Sequence, residues 1–301
     1  MSASAPAGVA AFACVAFTVL MWASAFPSIR AALSAFGPAE LGALRFAVAS
    51  LALGLYLAWV RPVLPGRADL PRLLAAGGLG IAAYNLLLNT GSRVVDAGTA
   101  SFVVNTAPVF TALLGAALLG ERLRPIGWFG IGLSFAGVGL IAIGRGEMGF
   151  GAGALLVLAA ALCQAAQFVL QKPLLARCGA LPVTACLLWV GTAMLLPFLP
   201  GALGTASVAP THALGAVIFL GLGPAALAYV AWSFALSRLP VSRAASFLYL
   251  VPPIATALAW AWLDEKPGLG ALVGGAVALA GVVLVNTVGR EPVPPPAKKG
   301  S

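Results

Sequence analysis

Three glutamines in one long apolar stretch, Gln164, Gln167 and Gln171, have a spacing that indicates a binding surface. Positions i, i+3 and i+7 share one face of a helix, so the three amides form a polar stripe. An amide that faced hydrocarbon would lack a hydrogen-bond partner, and these side chains must therefore face protein or water. Amides can pair with both the carboxylate and the ammonium group of a zwitterion. The stripe predicts substrate binding, and the alternative is hydrogen bonding between helices.

Two other apolar stretches carry polar residues at similar depth. Asn85, Asn89 and Ser92 form a second stripe, whose amides face either a cavity or another helix, and Asn105 stands alone with a cavity-facing role favoured. Aromatic rings nearby could hold an apolar substrate body, and a tyrosine in a membrane needs a partner for its hydroxyl. The predicted substrate-binding residues are Trp22, Tyr84, Asn85, Asn105, Gln164, Gln167, Phe168, Tyr229 and Tyr249.

Arg45 is the ionisable residue that lies well inside an apolar run, roughly 10 Å from one end of that run at a helical rise of about 1.5 Å per residue. A buried charge of this kind indicates function by default. A structural anchor, bonded to backbone carbonyls or to Glu40, is the alternative.

The chain lacks the residues for an enzyme or a metal centre. Its one histidine is His212, and its four cysteines show no CxxC spacing. Acidic residues fall at the ends of the apolar runs, so no general base or buried proton carrier is available. We expect no catalytic residue, no cofactor and no bound metal.

The amino-acid composition indicates whether the chain folds in water or in a lipid bilayer. The chain is 61% hydrophobic and 8% charged, with a mean hydropathy of +1.03. Such a chain is predicted to be an all-α integral membrane protein. The net charge of +9 then indicates orientation in the bilayer, and no nucleic-acid partner is expected.

Ten runs are long enough to cross the bilayer at roughly 20 residues each, although the seventh is broken by Gly and Pro and nine is the alternative count. The short loops on the side of the amino terminus hold twelve Lys and Arg, against four on the other side. Both termini are therefore predicted to be cytoplasmic. The runs are 9–29, 38–60, 71–91, 97–119, 126–144, 151–172, 182–199, 212–236, 243–263 and 268–288.

Residues 97–122 recur about 145 positions later in the chain. Ser101-Phe102 matches Ser246-Phe247, and Pro108 matches Pro253. Since each half has five helices, an odd number, the second half must cross the membrane in the opposite sense. We predict two inverted repeats, 1–146 and 147–289, followed by a disordered cytoplasmic tail, 290–301.

Proline residues near matching points of the halves are candidate hinges. Pro27, Pro108 and Pro253 each remove a backbone hydrogen bond within or near a helix. The alternative is a static kink that only shapes the bundle.

Several motifs carry a family resemblance: Trp-Ala-Ser-Ala-Phe-Pro at 22–27, Arg45-Phe46, Ala-Pro-Val-Phe at 107–110 and Leu-Gly-Glu-Arg at 119–122. With two five-helix halves, they resemble the drug/metabolite transporter superfamily. Within it the chain is most similar to the ten-helix EamA-type group and its YddG-type aromatic amino acid exporters. The resemblance implies amino acid export across a bacterial inner membrane.

Inverted repeats also favour a transporter, because two similar conformations can expose a midplane site to either side. We expect a monomer that exports neutral or zwitterionic amino acids, aromatic ones included, as a uniporter. One alternative is a broad drug or metabolite exporter coupled to protons. A membrane receptor or binding protein is the alternative from another functional class.

Overall fold

The computed structural model describes residues 5–119, 123–143, 150–236, 238 and 247–289. Regular structure in these ranges is helical, in ten elements α1 to α10. Eight of the helices there are long and apolar enough to cross a membrane, and α5 and α9 are shorter apolar helices, so the ten-helix prediction is confirmed. The predicted tail 290–301, and Ser246 and the 120–122 part of the repeat motif, lie outside the described residues.

The helices begin and end close to the predicted runs. Their bounds are α1 Ala5–Ala32, α2 Pro38–Val60, α3 Arg67–Gly91, α4 Ala97–Val104 and Ala107–Leu119, α5 Pro125–Ile143, α6 Phe150–Cys178, α7 Ala180–Ala206, α8 Thr211–Leu222, Gly223–Leu227 and Ala228–Leu236, α9 Phe247–Leu250 and Val251–Leu263, and α10 Leu269–Thr287.

Local capping explains several of these ends. The Asp96 carboxylate accepts the Thr99 backbone N–H at 2.8 Å and caps α4. The Glu40 side chain accepts the Gly37 backbone N–H at 2.9 Å at the start of α2, next to Pro38 at the first helical position. These bonds satisfy N–H groups that a helix start leaves free.

Five of the described helices are interrupted: α7 by the 3₁₀ turn Leu196–Phe198, and α3, α4, α8 and α9 by breaks that match between the halves. A π-helical turn, Gly78–Ala83, precedes Tyr84 in α3, and the π turn Gly223–Leu227 precedes Ala228 and Tyr229 in α8. The break in α4 at 105–106 matches the change from 3₁₀ to α geometry at 250–251 in α9. Single π turns are frequent at functional sites. The repeat therefore extends to the irregularities of the backbone.

The helices α2 and α7 pack against each other as equivalent elements, 142 positions apart. Buried and partly exposed positions alternate identically from 43 to 51 and from 185 to 193. Ser50 and Thr192, which are equivalent in this register, share a hydrogen bond of 2.7 Å between their hydroxyls. Because equivalent residues meet only at a symmetry axis, the pseudo-two-fold axis passes beside this pair.

The helices α5 and α10 pack through glycines. A Cβ atom at Gly137 would lie 2.3 Å from the Ala278 backbone N, and one at Gly281 would lie 2.5 Å from the Ser134 backbone N. These contacts are equivalent under a shift of 144 positions, as expected for small residues that let membrane helices approach closely. Gly132 and Gly139 of α5 have no neighbour within 4 Å of an added Cβ atom, so they take no part in this contact.

The two halves interlock. The helix α1 of the first half packs on α8 and α9 of the second, while α6 packs on α3 and α4. The candidate binding residues of α1, α3, α6 and α8 are consequently held in one interface between the halves.

Candidate functional site

Arg45 is buried in α2, with 9% of its surface exposed. Its Nη1 donates to Asn85 Oδ1 at 3.3 Å, and Asn85 Nδ2 donates in turn to the Ile81 carbonyl at 2.8 Å. Ile81 belongs to the π turn of α3. The guanidinium also lies over the Phe46 ring, 5.1 Å from its centroid. Asn85 therefore holds the Arg45 side chain against the interruption in α3.

The expected anchor, Glu40, is not the partner of Arg45. Glu40 accepts hydrogen bonds from the Gly37 backbone and, at 3.2 Å, from Thr205 Oγ1. These bonds keep the carboxylate at the end of α2, away from Arg45. The partner is an amide from the predicted polar stripe of α3.

The hydrogen-bonding capacity of Arg45 is only partly used. Its Nε is buried and has no hydrogen-bond partner. No carboxylate among the described residues forms an ion pair with it; the ion pairs found there are Arg30–Glu265 and Arg177–Asp69. Leaving a buried donor on a charged group unpaired is costly.

Two matched tyrosines, Tyr84 and Tyr229, follow the two π turns and are half-buried. Tyr229 packs against the apolar cluster that contains Ala43 and Phe46 of α2. Helix α8 also rests on α2 at this level, because a Cβ atom at Gly221 would lie 2.9 Å from the Arg45 carbonyl oxygen. Both interrupted helices thus meet at Arg45.

Trp22 joins an aromatic cluster on α8. Its Nε1 donates to the Pro224 carbonyl of the π turn at 3.1 Å. Its ring lies 5.7 Å from Tyr229, edge to face, and 5.5 Å from Trp232, centroid to centroid. Offset and edge-on contacts of this kind stabilise aromatic clusters. Trp232 was not among the predicted binding residues, although its depth in the apolar run was a usable signal.

Gln167 packs on the π turn of α3. It is 7% exposed, and a Cβ atom at Gly80 would lie 1.8 Å from its Oε1. Its Nε2 approaches Gln171 Oε1 at 3.5 Å. The Gln167 side chain therefore faces protein, and it fills the space that the missing side chain of Gly80 leaves open. Gln164 is half-buried one turn earlier.

Phe168 is 40% exposed. Leu155 and Leu162, also exposed, mark the outer face of α6. At about 100° per residue, Phe168 lies about 120° around the helix from Leu162. Its ring is therefore exposed on a different side of α6, next to the glutamine stripe.

Asn105 and Tyr249 occupy the matched interruptions of α4 and α9. Asn105 is half-buried, and its Nδ2 donates to the Ser101 carbonyl at 2.8 Å, which closes the first segment of α4. Tyr249 packs against an apolar cluster that includes Val109 and Val282. Tyr249 therefore lies at the contact of α4, α5 and α10, and the contacts of Arg45 involve neither Asn105 nor Tyr249.

The predicted hinge prolines have different surroundings. Pro27 is buried inside α1, which continues from Ala5 to Ala32. Pro108 and Pro253 lie in the first turn of the second segments of α4 and α9, where a missing N–H breaks no helical bond. The interruptions themselves fall just before these prolines.

Within the described part of the chain, one ion pair joins the halves at each end of the bundle. At one end, named here the Arg30 end, Arg30 Nε donates to Glu265 Oε1 at 2.9 Å, and its Nη1 donates to the carbonyls of Ser92 and Arg93. Glu265 also accepts the Ala97 backbone N–H at 2.9 Å. A cavity of about 460 Å³ lies there, lined in part by Ser34 and His212.

Arg177 of α6 pairs with Asp69 at the start of α3 at the opposite end. Sequence reasoning did not find either pair. The alignment of Arg30 with Lys172, and of Glu265 with Glu121, was the available signal for the first pair.

Two interlocked inverted halves around a buried polar group are the architecture of secondary transporters. Comparison with known proteins agrees. The family model described as the EamA-like transporter family matches residues 9–143 and again residues 151–287. The chain therefore belongs to the EamA-like transporter family, and it is a multi-pass protein of the inner membrane.

Individual relatives cover nearly the whole chain. A protein of Streptantibioticus cattleyicolor named probable terminal-alkyne amino-acid exporter is 42% identical over 91% of this chain and 93% of its own. The uncharacterized transporter YdfC of Bacillus subtilis is 37% identical over 87% and 86%, respectively. A probable amino-acid metabolite efflux pump of Escherichia coli is 29% identical over 90% and 92%.

A solved crystal structure aligns over 94% of this chain and 96% of its own, with a TM-score of 0.61 and 22% identity. At this identity the likeness shows the fold. The expected YddG-type subgroup stays a prediction.

Proposed function

We propose that the protein exports neutral, zwitterionic amino acids, aromatic ones among them, by alternating access to a site around Arg45. The observation that carries the proposal is one buried charged residue, Arg45, which lies between helices that are equivalent in the two halves. Tyr84 and Tyr229 follow matched π turns on α3 and α8, the two helices that contact Arg45. A substrate there would contact both halves, as alternating access requires.

The chemistry of the surrounding residues suits an amino acid. Arg45 offers donors to a carboxylate, and the rings of Trp22, Tyr84 and Tyr229 offer an apolar surface. The printed names of the relatives from S. cattleyicolor and E. coli both refer to amino acids or their metabolites. Both observations support the same substrate class.

At each end of the bundle, bonds between the two halves must break before the site can open to that side. At the Arg30 end, one guanidinium joins α1 to the α3–α4 turn and to the α9–α10 loop. We propose that opening this end breaks these bonds while the Asp69–Arg177 end stays closed, and that the reverse holds in the other state. The predicted orientation makes the Arg30 end periplasmic.

We propose that the protein is a uniporter, which moves its substrate without coupling to an ion gradient. Among the described residues, Glu40, Asp69, Asp96 and Glu265 lie at helix ends and accept hydrogen bonds there. None is positioned at the centre of a helix, where a proton-coupled exporter would need a carrier. Export would then follow the substrate gradient, with one chain as the working unit.

Counterflow in proteoliposomes tests this function. Vesicles loaded with unlabelled L-phenylalanine should accumulate labelled L-phenylalanine through the protein without any imposed proton gradient. A strict requirement for that gradient would refute uniport, and strong competition by cationic dyes would support the broad drug exporter instead. Saturable binding without flux would support a receptor.

A further inference from the structure

The guanidinium of Arg45 is a buried cation whose counter-charge is absent from the described residues. It is 9% exposed, and no described carboxylate pairs with it. Its one hydrogen bond goes to a neutral amide, through Nη1. Buried cations are normally paired, because the loss of hydration is otherwise uncompensated. An anion that enters from outside the chain would complete the group.

The symmetry of the fold shows that packing does not require a cation here. A Cβ atom at Gly221 of α8 would touch Val48 and the Arg45 carbonyl of α2. In the other half, a Cβ atom at Gly77 of α3 would touch Val190 and the Leu187 carbonyl of α7 in the same way. Leu187 is therefore the structural equivalent of Arg45, and it is 1% exposed. An apolar side chain fills the same position in the other half.

The guanidinium keeps donor capacity that a carboxylate could use. Asn85 occupies Nη1, while Nε is buried without a partner. Arginine binds carboxylates through two parallel N–H groups of one edge, and such charge-assisted pairs are stronger than neutral hydrogen bonds. The bond from Asn85 to the Ile81 carbonyl holds the assembly in one orientation.

We propose that Arg45 binds the α-carboxylate of the transported amino acid and thereby makes a free carboxylate a requirement for transport. This proposal rests on the proposed function and sharpens its substrate class. Asn85 is the positioning residue that fixes the guanidinium. Arg45 contacts α3 of its own half through Asn85, and its backbone carbonyl lies against Gly221 of α8 in the other half. A carboxylate bound to Arg45 would thus lie where the two halves meet.

Competition on the unmodified protein tests the proposal directly. In the counterflow assay, labelled L-phenylalanine is competed with unlabelled L-phenylalanine, L-phenylalaninamide or 2-phenylethylamine. The two competitors without a carboxylate should inhibit about 10-fold to 100-fold more weakly, as for lost hydrogen bonds to a charged group. Equal inhibition by all three would overturn the proposal.

The same assay separates this proposal from the proposed function. If L-phenylalanine is not carried but another neutral amino acid is, the acid, amide and amine of that side chain replace the phenyl series. If no amino acid is carried, the proposed function fails. If amino acids are carried and their amides compete equally, only the role of Arg45 fails.

Two substitutions assign the requirement to Arg45. Arg45→Leu copies the equivalent Leu187, so its volume and polarity are compatible with the fold. Arg45→Leu should abolish the preference for the acid over the amide. Arg45→Lys should keep the preference with about 10-fold weaker uptake, because lysine keeps the positive charge but lacks the paired N–H donors of a guanidinium. The matched control Arg72→Gln, at an exposed arginine outside both ion pairs, should leave the preference unchanged. A preference that persists in Arg45→Leu would contradict the proposal.

Discussion

The hydroxyls of Ser50 and Thr192 lie 2.7 Å apart, and the two residues are equivalent positions of the two halves. The Trp189 indole donates to the Ser50 carbonyl at 3.3 Å, and Thr192 Oγ1 also bonds the Phe46 carbonyl at 3.2 Å. Arg45 follows the same register, one and a half turns away on α2.

The hydrogen bond between Ser50 and Thr192 should be measurable as a coupling free energy in a double-mutant cycle. Ser50→Ala and Thr192→Val should each destabilise the protein by about 1 kcal/mol, and the double variant should lose less than the sum because both single changes remove one bond. Thermal unfolding in detergent measures this cycle. Ser34→Ala, at an exposed site, is the control. Strict additivity of the two changes would show that the hydroxyls do not interact.

The contact between α5 and α10 should tolerate no added methyl group. Gly137→Ala and Gly281→Ala each place a Cβ within 2.5 Å of backbone atoms on the other helix, and we expect a loss of about 1–3 kcal/mol from overpacking. Gly139→Ala adds the same methyl group where no atom lies within 4 Å. Comparison of the melting temperatures checks the difference. A Gly139→Ala variant as unstable as Gly137→Ala would contradict this packing.

Asn105→Leu copies the residue at position 250, which holds the equivalent place in the other half. Since the Asn105 amide bonds only the carbonyl one turn earlier among its described contacts, the variant should stay folded. We expect reduced flux or altered selectivity among amino acids. Initial counterflow rates for a panel of neutral amino acids measure the change. Unaltered rates and selectivity would assign Asn105 to the shape of α4 alone.

Glu265→Gln should weaken the closure of the Arg30 end. The change removes the charge that pairs with Arg30 but keeps an acceptor for the Ala97 N–H. A cysteine at Ala100, which is buried, should then react several-fold faster with a membrane-impermeant maleimide. Asp264→Asn, at the exposed neighbouring carboxylate, is the matched control. Equal labelling rates in the two variants would mean that the ion pair does not hold this end closed.

The sequence predicted the helices and the repeat well, because apolar length and matched motifs report them directly. The partner of Arg45 could not be predicted in this way. Glu40 and Asn85 were both within plausible reach, and the choice depends on the capping of α2 by Glu40, which commits that carboxylate elsewhere. The π turns were also hidden, since the residues Gly78–Ala83 fit an ordinary α-helix equally well. Contacts between the halves, such as Arg30 with Glu265, depend on how the halves interlock, and that arrangement is not a property of any one stretch.

Counterflow of a labelled neutral amino acid in proteoliposomes, without ion gradients, tests the central claim most directly. We predict transient accumulation of label in vesicles that contain the protein and are preloaded with the same amino acid, and weaker accumulation in Arg45→Leu. Absence of accumulation for every neutral amino acid, with correctly folded and reconstituted protein, would contradict the account.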